Sequence, residues 1–195
     1  ILILELSSYQ LEQIQKLSCR VSIITNLSPD HLERHKTFTN YTLAKYKLIT
    51  FTEEESFCEQ SFIDPIKSLS LSLKNLHILD FKTTPTPSAA IQKTLLTQVN
   101  IKNALFAAHA CAKFTNKNVD SLLEQLIDFQ LPPHRYQPIA SYNKILFIND
   151  SKATNIDSLL CALEACPNNT CLLIGGLCKT SNYAPIIKYK NKLSS

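Results

Sequence analysis

The sequence predicts an α/β fold, and two features of the chain indicate it. Short apolar runs that are typical of buried strands occur at 1–4, 21–24, 144–148 and 171–174. Polar residues follow the run at 144–148, and a segment with apolar residues at helical spacing begins at 156. Such alternation of strands and helices is the pattern of α/β proteins with parallel sheets.

The remaining elements are assigned from the same two periodicities. We expect helices at 9–17, 39–50 (capped by Thr39 or Asn40), 100–114, 119–129 and 156–165 (capped by Thr154 or Asn155). The stretch 52–87 is predicted to be irregular with short strands, one of them at 76–79. Leu131-Pro132-Pro133 ends the fourth helix as a hinge between domains. After the hinge, 144–148, 156–165 and 171–174 would form a β-α-β unit.

Length and composition are those of one large or two small domains. The chain has 195 residues, of which 45% are hydrophobic, so it can bury a core. Only 18% are charged and the net charge is +4, which predicts no nucleic-acid partner. The absence of a long apolar segment predicts no membrane partner and a soluble, cytoplasmic protein. The chain has no methionine and opens within an apolar run, so we expect a fragment of a longer protein. We expect that protein to be a monomer.

The cysteines and glycines exclude several kinds of site. Seven cysteines without a C-x-x-C pair argue against a disulfide framework and leave a zinc-binding module poorly supported. The chain contains two glycines, Gly175 and Gly176, and no G-x-x-x-x-G-K-[ST] phosphate loop.

Ionisable side chains gather where the first two predicted strands end. Glu5 follows the first strand, and Asp30, His31 and His35 follow the second. Because the carboxyl ends of parallel strands lie at one edge of a sheet, Glu5 and His31 could share a cation. A carboxylate and an imidazole, completed by water and phosphate oxygens, suit Mg²⁺ or Mn²⁺ better than zinc. A surface ion-pair cluster explains the same pattern equally well.

Cationic side chains mark other candidate positions. Lys152 lies in the polar turn before the helix at 156–165, where it and the helix N-terminus favour an anionic ligand; an ordinary capped turn is the equal alternative. Arg135, after the hinge, suits phosphate or an interdomain salt bridge. Lys179 could hold a carboxylate or be a surface residue, and Lys45 on its own pattern is a solvated lysine.

Five stretches together resemble the Mur ligase family. They are Glu5-Leu-Ser-Ser-Tyr-Gln-Leu-Glu12, Asn26-Leu-Ser-Pro-Asp-His-Leu-Glu-Arg-His35, Ala44-Lys45, Pro133-His-Arg135 and Asn149-Asp-Ser-Lys-Ala-Thr-Asn155. The resemblance implies the C-terminal half of a P-loop-type central ATPase domain at 1–132. It also implies the start of a Rossmann-like, amino-acid-binding C-terminal domain at 133–195. The phosphate loop would lie upstream, so we expect these 195 residues alone to be inactive.

The resemblance is greatest to the branch of the family that adds D-glutamate to UDP-N-acetylmuramoyl-L-alanine. It implies an ATP-dependent, amide-forming ligase of peptidoglycan precursor synthesis, which serves cell shape and cell division. The muramoyl-alanine carboxylate would become an acyl phosphate, and the amine of D-glutamate would then displace phosphate. ATP and Mg²⁺, or alternatively Mn²⁺, are the implied cofactors.

The same resemblance assigns roles to individual residues. The metal ligands would be Glu5, His31 and a carbamylated Lys45, and the catalytic residues Lys45, His31 and Lys152. The nucleotide would contact Asn100, Asn103, Arg135 and Asp150. The two substrates would contact Ser7, Gln10, Lys152, Thr154 and Lys179.

Some positions depart from the family pattern. Thr97-Gln-Val-Asn100 lacks the glycine and histidine that usually precede this helix, and Leu177 and Cys178 replace an aspartate and a glycine. These departures motivate one alternative, a degenerate, non-catalytic nucleotide-binding relative. The alternative among enzymes is a sibling Mur-type or folylpolyglutamate-type amide ligase.

Overall fold

The computed structural model describes residues 1–81, 84, 87–176 and 182–194. The helices are α1 (Ser8–Gln13), α2 (Leu32–His35), α3 (Phe38–Thr50), α4 (Ile63–Ser68), α5 (Ala89–Leu95), α6 (Gln98–Ala112), α7 (Val119–Glu124) and α8 (Ile156–Ala165). The strands are β1 (Cys19–Ile24), β2 (Thr52–Cys58), β3 (Leu76–Ile78), β4 (Gln137–Tyr142) and β5 (Ile145–Asn149). Two 3-10 turns, Gln60–Phe62 and Ala184–Tyr189, complete the elements of the described ranges.

The chain divides into two compact units. The first comprises Ile1–Thr86 and Asn103–Leu122, and the second Pro87–Lys102 and Leu123–Ser195. The domain boundary that the sequence places between 132 and 133 stays a prediction. No helix within the described residues is long and apolar enough to cross a membrane.

The first unit is built on a three-stranded parallel sheet in the order β1-β2-β3. The register places Ile23 opposite Phe57, and Phe57 opposite His77. A parallel pair needs a long crossover, and residues 25–51 with α2 and α3 supply it between β1 and β2. The predicted α/β class with a parallel sheet is confirmed.

Both faces of this sheet are covered by apolar side chains. On one face, the buried cluster contains Ile24, Leu27, Tyr41, Ile49, Cys58, Phe62, Ile63 and Ile66, from the strands, α3 and the α4 segment. On the other face, Phe57 and Leu79 pack with Phe106 of α6. Because adjacent strand residues point to opposite faces, Phe57 and Cys58 belong to different clusters. Such two-sided burial is what a parallel sheet requires.

The second unit contains the antiparallel hairpin β4–β5 and the helix α8. Asn143 and Lys144 form the two-residue turn of the hairpin with φ of 48° and 64°, as type I′ turns require. Asn155 caps α8, because its side-chain oxygen accepts the Ser158 N–H at 2.9 Å. The helix at 156–165 and its asparagine cap are therefore confirmed.

Two strand predictions are wrong, and a third is right in position but not in burial. Residues 1–4 form no strand, and Ile1 and Ile3 are 95% and 86% exposed. Residues 171–174 form no strand either, so the predicted β-α-β unit is not formed. β5 does lie at the predicted position, but it pairs with β4 and is largely exposed rather than buried. An apolar run creates a tendency to extend, whereas a strand needs a hydrogen-bonding neighbour that the run itself does not reveal.

Other boundaries also differ from the expectations. The stretch 52–87 contains short strands as predicted, β2 and β3, and β3 lies at the expected 76–79. It also contains the helix α4, which was not predicted. The helices expected at 9–17 and 119–129 are shorter, at Ser8–Gln13 and Val119–Glu124. The cap of α3 is Thr37 rather than Thr39 or Asn40, with its hydroxyl accepting the Asn40 N–H at 3.1 Å.

Truncation of Ile66 should destabilise the first unit strongly. Ile66 of α4 is fully buried in the apolar cluster that also contains Ile24 and Cys58. Ile66→Ala therefore removes buried methyl groups and leaves a cavity. We expect a loss of about 2–5 kcal/mol in the free energy of unfolding. Leu43→Ala, at a 42% exposed position of α3, is the matched control and should cost less than about 1 kcal/mol. Urea denaturation of the full-length protein measures both; equal losses would contradict the assigned core.

Candidate functional site

The candidate site of the first unit lies on α1 and on the crossover between β1 and β2. The crossover carries Asp30 and His31 before α2, and Lys45 in the middle of α3. α1 packs against α3, which brings Tyr9 beside this segment. The parallel connection between β1 and β2 thus places these groups at one end of the sheet.

Ser7 and Gln10 form a capping box at the start of α1. The Ser7 hydroxyl oxygen accepts the Gln10 N–H at 3.3 Å, and the Gln10 side-chain oxygen accepts the Ser7 N–H at 2.8 Å. This reciprocal pair satisfies two backbone donors of the first helical turn. Both side chains are exposed, so they also remain accessible to a ligand. Their predicted contact with substrate stays a prediction beside this structural role.

His31 lies at the start of α2 in the left-handed conformation, with φ of 55°. Its backbone N–H donates to Asp30 Oδ1 at 2.8 Å, and its Nε2 lies 3.8 Å from Asp30 Oδ2. On the other side of the ring, Nδ1 lies 3.1 Å from the Tyr9 hydroxyl. The side chain is 35% exposed, so the imidazole is anchored on one edge and accessible to a ligand.

His35, one turn after His31, is a buried packing residue. Its side chain is fully buried, and its Nε2 lies 2.9 Å from the Ser8 hydroxyl. Its Nδ1 lies 3.6 Å from a carboxylate oxygen of Glu12. The ring stacks on Tyr9 with centroids 5.6 Å apart. His35 therefore fastens α1 to α2, a packing role that the sequence analysis did not assign to it.

Lys45 is half-buried on α3, and its surroundings alter its acidity. Its Nζ donates to the Asn26 carbonyl oxygen at 3.0 Å and lies 5.1 Å from the centre of the Tyr41 ring. Burial lowers the pKa of Lys45, and the nearby Asp30 carboxylate opposes part of that decrease. Burial, with a smaller contribution from Asp30, raises the pKa of Tyr41 to about 12, so that hydroxyl stays protonated at neutral pH. Lys45 thus differs from the solvated lysine that its own sequence pattern suggested.

Two donor atoms at His31 are of the kind that hard divalent cations bind. An imidazole nitrogen and a carboxylate oxygen face each other at 3.8 Å, and Glu5 is exposed just before α1. Nitrogen and oxygen donors of this kind suit Mg²⁺ or Mn²⁺. Among the described residues, no group of three or more His, Cys, Asp or Glu side chains could hold a metal ion. The predicted metal ligands include only two such side chains, Glu5 and His31, together with Lys45. The metal site therefore stays a prediction.

A second group of predicted site residues comes together in the second unit, where 134–136 meets 149–152. The Tyr136 N–H donates to Asp150 Oδ1 at 2.8 Å, and the Lys152 N–H donates to the His134 carbonyl oxygen at 3.1 Å. The Asn149 amide lies 2.9 Å from His134 Nδ1. These bonds fix the loop that carries Arg135 beside the turn that precedes α8.

The charges of this loop and turn interact. Burial raises the pKa of Asp150, while the Tyr136 N–H and the Arg135 guanidinium oppose part of that rise. Arg135, Lys152 and Thr154 are exposed. The group thus offers two accessible cations, Arg135 and Lys152, and a helix N-terminus, around the half-buried carboxylate of Asp150. The cations and the helix N-terminus are suited to a polar anionic ligand.

Three predicted site residues belong to neither group. Two of them lie on α6, and the third is outside the residues that the structure describes. Asn100 is half-buried near the start of α6, where its amide donates to the Leu95 carbonyl oxygen at 2.8 Å. Asn103 is exposed on the same helix. Lys179 lies outside the described residues. The sequence reasoning missed Tyr9, whose signal is its position inside the Glu5–Glu12 stretch.

Comparison with known proteins gives one family. The family described as Mur ligase middle domain matches residues 1–68. A Rickettsia prowazekii protein named UDP-N-acetylmuramoylalanine--D-glutamate ligase is 33% identical over 98% of this chain and 47% of its own length. Proteins of the same name from Leptospira borgpetersenii and Christiangramia forsetii are 32% and 30% identical over 96% and 97% of the chain. The chain spans about half the length of these relatives.

Replacement of Asp150 by asparagine should change the pH dependence of stability. Because the native pKa of Asp150 is raised, the folded carboxyl keeps a proton that the unfolded chain has already lost above its ordinary pKa, about 3.9. Wild-type protein therefore loses stability as pH rises through that window. An asparagine at this position still offers an oxygen to the Tyr136 N–H but does not titrate.

We therefore expect the Asp150→Asn variant to gain stability relative to wild type between pH 4 and pH 7. Denaturant unfolding of the full-length protein at the two pH values measures this difference. Asp128→Asn, at an exposed position of the same unit, is the control and should show no such gain. A difference between Asp150→Asn and wild type that stays constant or shrinks with pH would contradict the assignment.

Proposed function

Because this chain belongs to the Mur ligase family, we propose that the protein is an ATP-dependent ligase that joins D-glutamate to UDP-N-acetylmuramoyl-L-alanine. The observation that carries the proposal is the similarity of nearly the whole chain to proteins named for that reaction. The reaction belongs to peptidoglycan precursor synthesis in the cytoplasm. The full-length protein would act as a monomer.

The chemistry forms one amide bond in two steps. The substrate carboxylate attacks the γ-phosphate of ATP, which gives an acyl phosphate and releases ADP. The amine of D-glutamate then attacks the acyl carbon, and phosphate leaves as the amide forms. Both steps bring anions together, so the site must supply positive charge and hydrogen-bond donors.

The first unit would bind the metal and the muramoyl substrate. Glu5, His31 and a carbamylated Lys45 would hold Mg²⁺ or Mn²⁺, which screens phosphate charge when bound. The lowered pKa of Lys45 supports the carbamate, because only the neutral amine reacts with carbon dioxide. Ser7 and Gln10, exposed at the start of α1, would contact the substrate.

The second unit would bind the nucleotide and D-glutamate. Arg135 suits a phosphate through its planar guanidinium, and Asp150 suits hydroxyl groups of the ribose. Lys152 and Thr154, exposed at the turn before α8, would hold a carboxylate of D-glutamate. Asn100 of the same unit would be a further nucleotide contact, and Lys179 a further contact for D-glutamate. Asn103, which belongs to the first unit, is assigned to the nucleotide by the family resemblance alone. These assignments follow the family pattern residue by residue.

One observation favours a second candidate, a non-catalytic nucleotide-binding relative. The Asn100 amide is engaged by the Leu95 carbonyl oxygen, in the segment where the family glycine and histidine are absent. An asparagine that closes its own loop has less capacity to bind a nucleotide. A third candidate is a sibling ligase that adds another amino acid, and the assay described next distinguishes all three.

The assay follows phosphate release by the full-length protein with UDP-N-acetylmuramoyl-L-alanine, ATP and Mg²⁺. D-glutamate, L-glutamate and a diamino acid are supplied separately. We expect release with D-glutamate alone, since two carboxylates and the D configuration should both be required. Release with the diamino acid instead would identify a sibling ligase. Protein that binds ATP but releases phosphate with none of them would be the non-catalytic relative.

Replacement of Lys45 should abolish ligation. In Lys45→Ala the side chain that would carry the carbamate is lost, so we expect kcat to fall by about 10³-fold or more. A short carboxylic acid such as acetate, in excess, should restore part of the activity by supplying the missing carboxylate. Lys47→Ala is the matched control on the same helix, because its Nζ donates to the Glu12 carbonyl oxygen instead. Loss of activity without rescue would contradict the carbamate, and full activity would remove Lys45 from the site.

A further inference from the structure

The Tyr9 ring is held on three sides by residues of α2 and the residue before it. The His35 ring stacks on it at 5.6 Å with an interplanar angle of 18°, and the His31 ring lies at 5.0 Å with an angle of 55°. The Arg34 guanidinium lies 5.9 Å from the Tyr9 ring centre. These contacts leave the ring little freedom, so the position of its hydroxyl group is fixed.

The Tyr9 hydroxyl has two hydrogen-bond partners but only one proton. Its oxygen lies 3.0 Å from Glu33 Oε1 and 3.1 Å from His31 Nδ1. An ionised carboxylate can only accept, so Tyr9 donates its proton to Glu33. Towards His31 the phenol oxygen can then only accept, and the proton of that bond must come from Nδ1. Neutral His31 is thereby held as the tautomer whose Nδ1 is protonated.

The protonation of Nδ1 decides what the other ring nitrogen can do. Nε2 then carries the lone pair, and it lies 3.8 Å from Asp30 Oδ2. Two electron-rich atoms facing each other are stabilised by a cation between them or beside them. In metal sites generally, a histidine ligand donates its second N–H to an oxygen that fixes its tautomer and orientation.

We propose that Tyr9, together with Glu33, is a positioning residue that holds His31 in the Nδ1-protonated form and presents Nε2 to a divalent cation. The tautomer follows from the hydrogen bonds of this chain, while the cation rests on the proposed function. Tyr9 acts through His31 and does not itself contact the metal. A phenylalanine would keep the stacking on His35 but remove the Tyr9 oxygen, which leaves Nδ1 with Glu33 Oε1 as its neighbour at 3.6 Å, beyond normal hydrogen-bond distance.

The test is Tyr9→Phe in the full-length protein, with two readouts. The first is the ¹⁵N spectrum of the histidine rings in metal-free protein, where His31→Gln identifies the signals. We expect a protonated Nδ1 and a lone-pair Nε2 in wild type, and a shift towards the Nε2-protonated form in Tyr9→Phe. The second is Mn²⁺ binding followed by electron paramagnetic resonance. The affinity should fall about 10-fold or more in Tyr9→Phe, as for other residues that orient a metal ligand.

Tyr46→Phe is the matched control, because it removes a hydroxyl that donates to the Ser72 carbonyl oxygen at 2.9 Å, away from His31. It should change neither readout. A protonated Nε2 in wild type, or unchanged ring signals and Mn²⁺ affinity in Tyr9→Phe, would overturn the proposal. If His31→Gln binds Mn²⁺ as tightly as wild type, the metal assignment of the proposed function fails. The positioning role of Tyr9 towards a metal then fails with it, while the ring spectra still report the tautomer separately.

Discussion

The parallel pairing of β1 with β2 is the constraint on which the first unit depends. Two parallel neighbours cannot be joined by a tight turn, so the chain must leave the end of β1 and return along the sheet to begin β2. The returning segment, 25–51, contains His31, His35 and Lys45. The same connection that allows the sheet to form therefore places the chemically useful side chains at its edge. Burial of Ile24 and Cys58 beneath α3 and α4 fixes that geometry, because a shift of one residue would turn such a side chain to the opposite face of the sheet.

What the sequence could predict follows from how local each signal is. The helix at 156–165 and its Asn155 cap depend on residues a few positions apart, and both are confirmed. The strands proposed at 1–4 and 171–174 depended on a partner elsewhere in the chain, and both are wrong. β4 was not predicted, because Pro138 and a mixed polar composition obscure the alternation of apolar and polar residues in this strand. The turn at Asn143 and Lys144 reverses the chain and pairs β4 with β5. Non-local pairing is thus the part of the fold that the apolar pattern leaves undetermined.

The candidate site shows the same division between local and non-local information. The motifs placed His31, Lys45, Arg135 and Asp150 in polar segments, but their environments came only from the fold. The burial that lowers the pKa of Lys45 arises from its packing beside Asn26 and Tyr41, which lies one turn before it on α3.

Ser7 and Gln10 show that one pair of side chains can serve two purposes. Their mutual hydrogen bonds start α1, and the orientation that the capping box imposes leaves both exposed to a ligand.

His35 of α2 and His31, the residue before that helix, show how the fold gives two neighbouring histidines different environments. His31 and His35 are four residues apart, so a regular helix would place both on one face. The structure separates them because His31 adopts φ of 55° at the start of the helix, a conformation that costs a non-glycine residue about 1–3 kcal/mol. That turn directs His31 to the rim, where Asp30 and Tyr9 engage its two ring nitrogens. His35 stays within the core, where Ser8 and Tyr9 hold it and where no ligand reaches. A buried imidazole thus supports an accessible one through Tyr9, whose ring contacts both histidines.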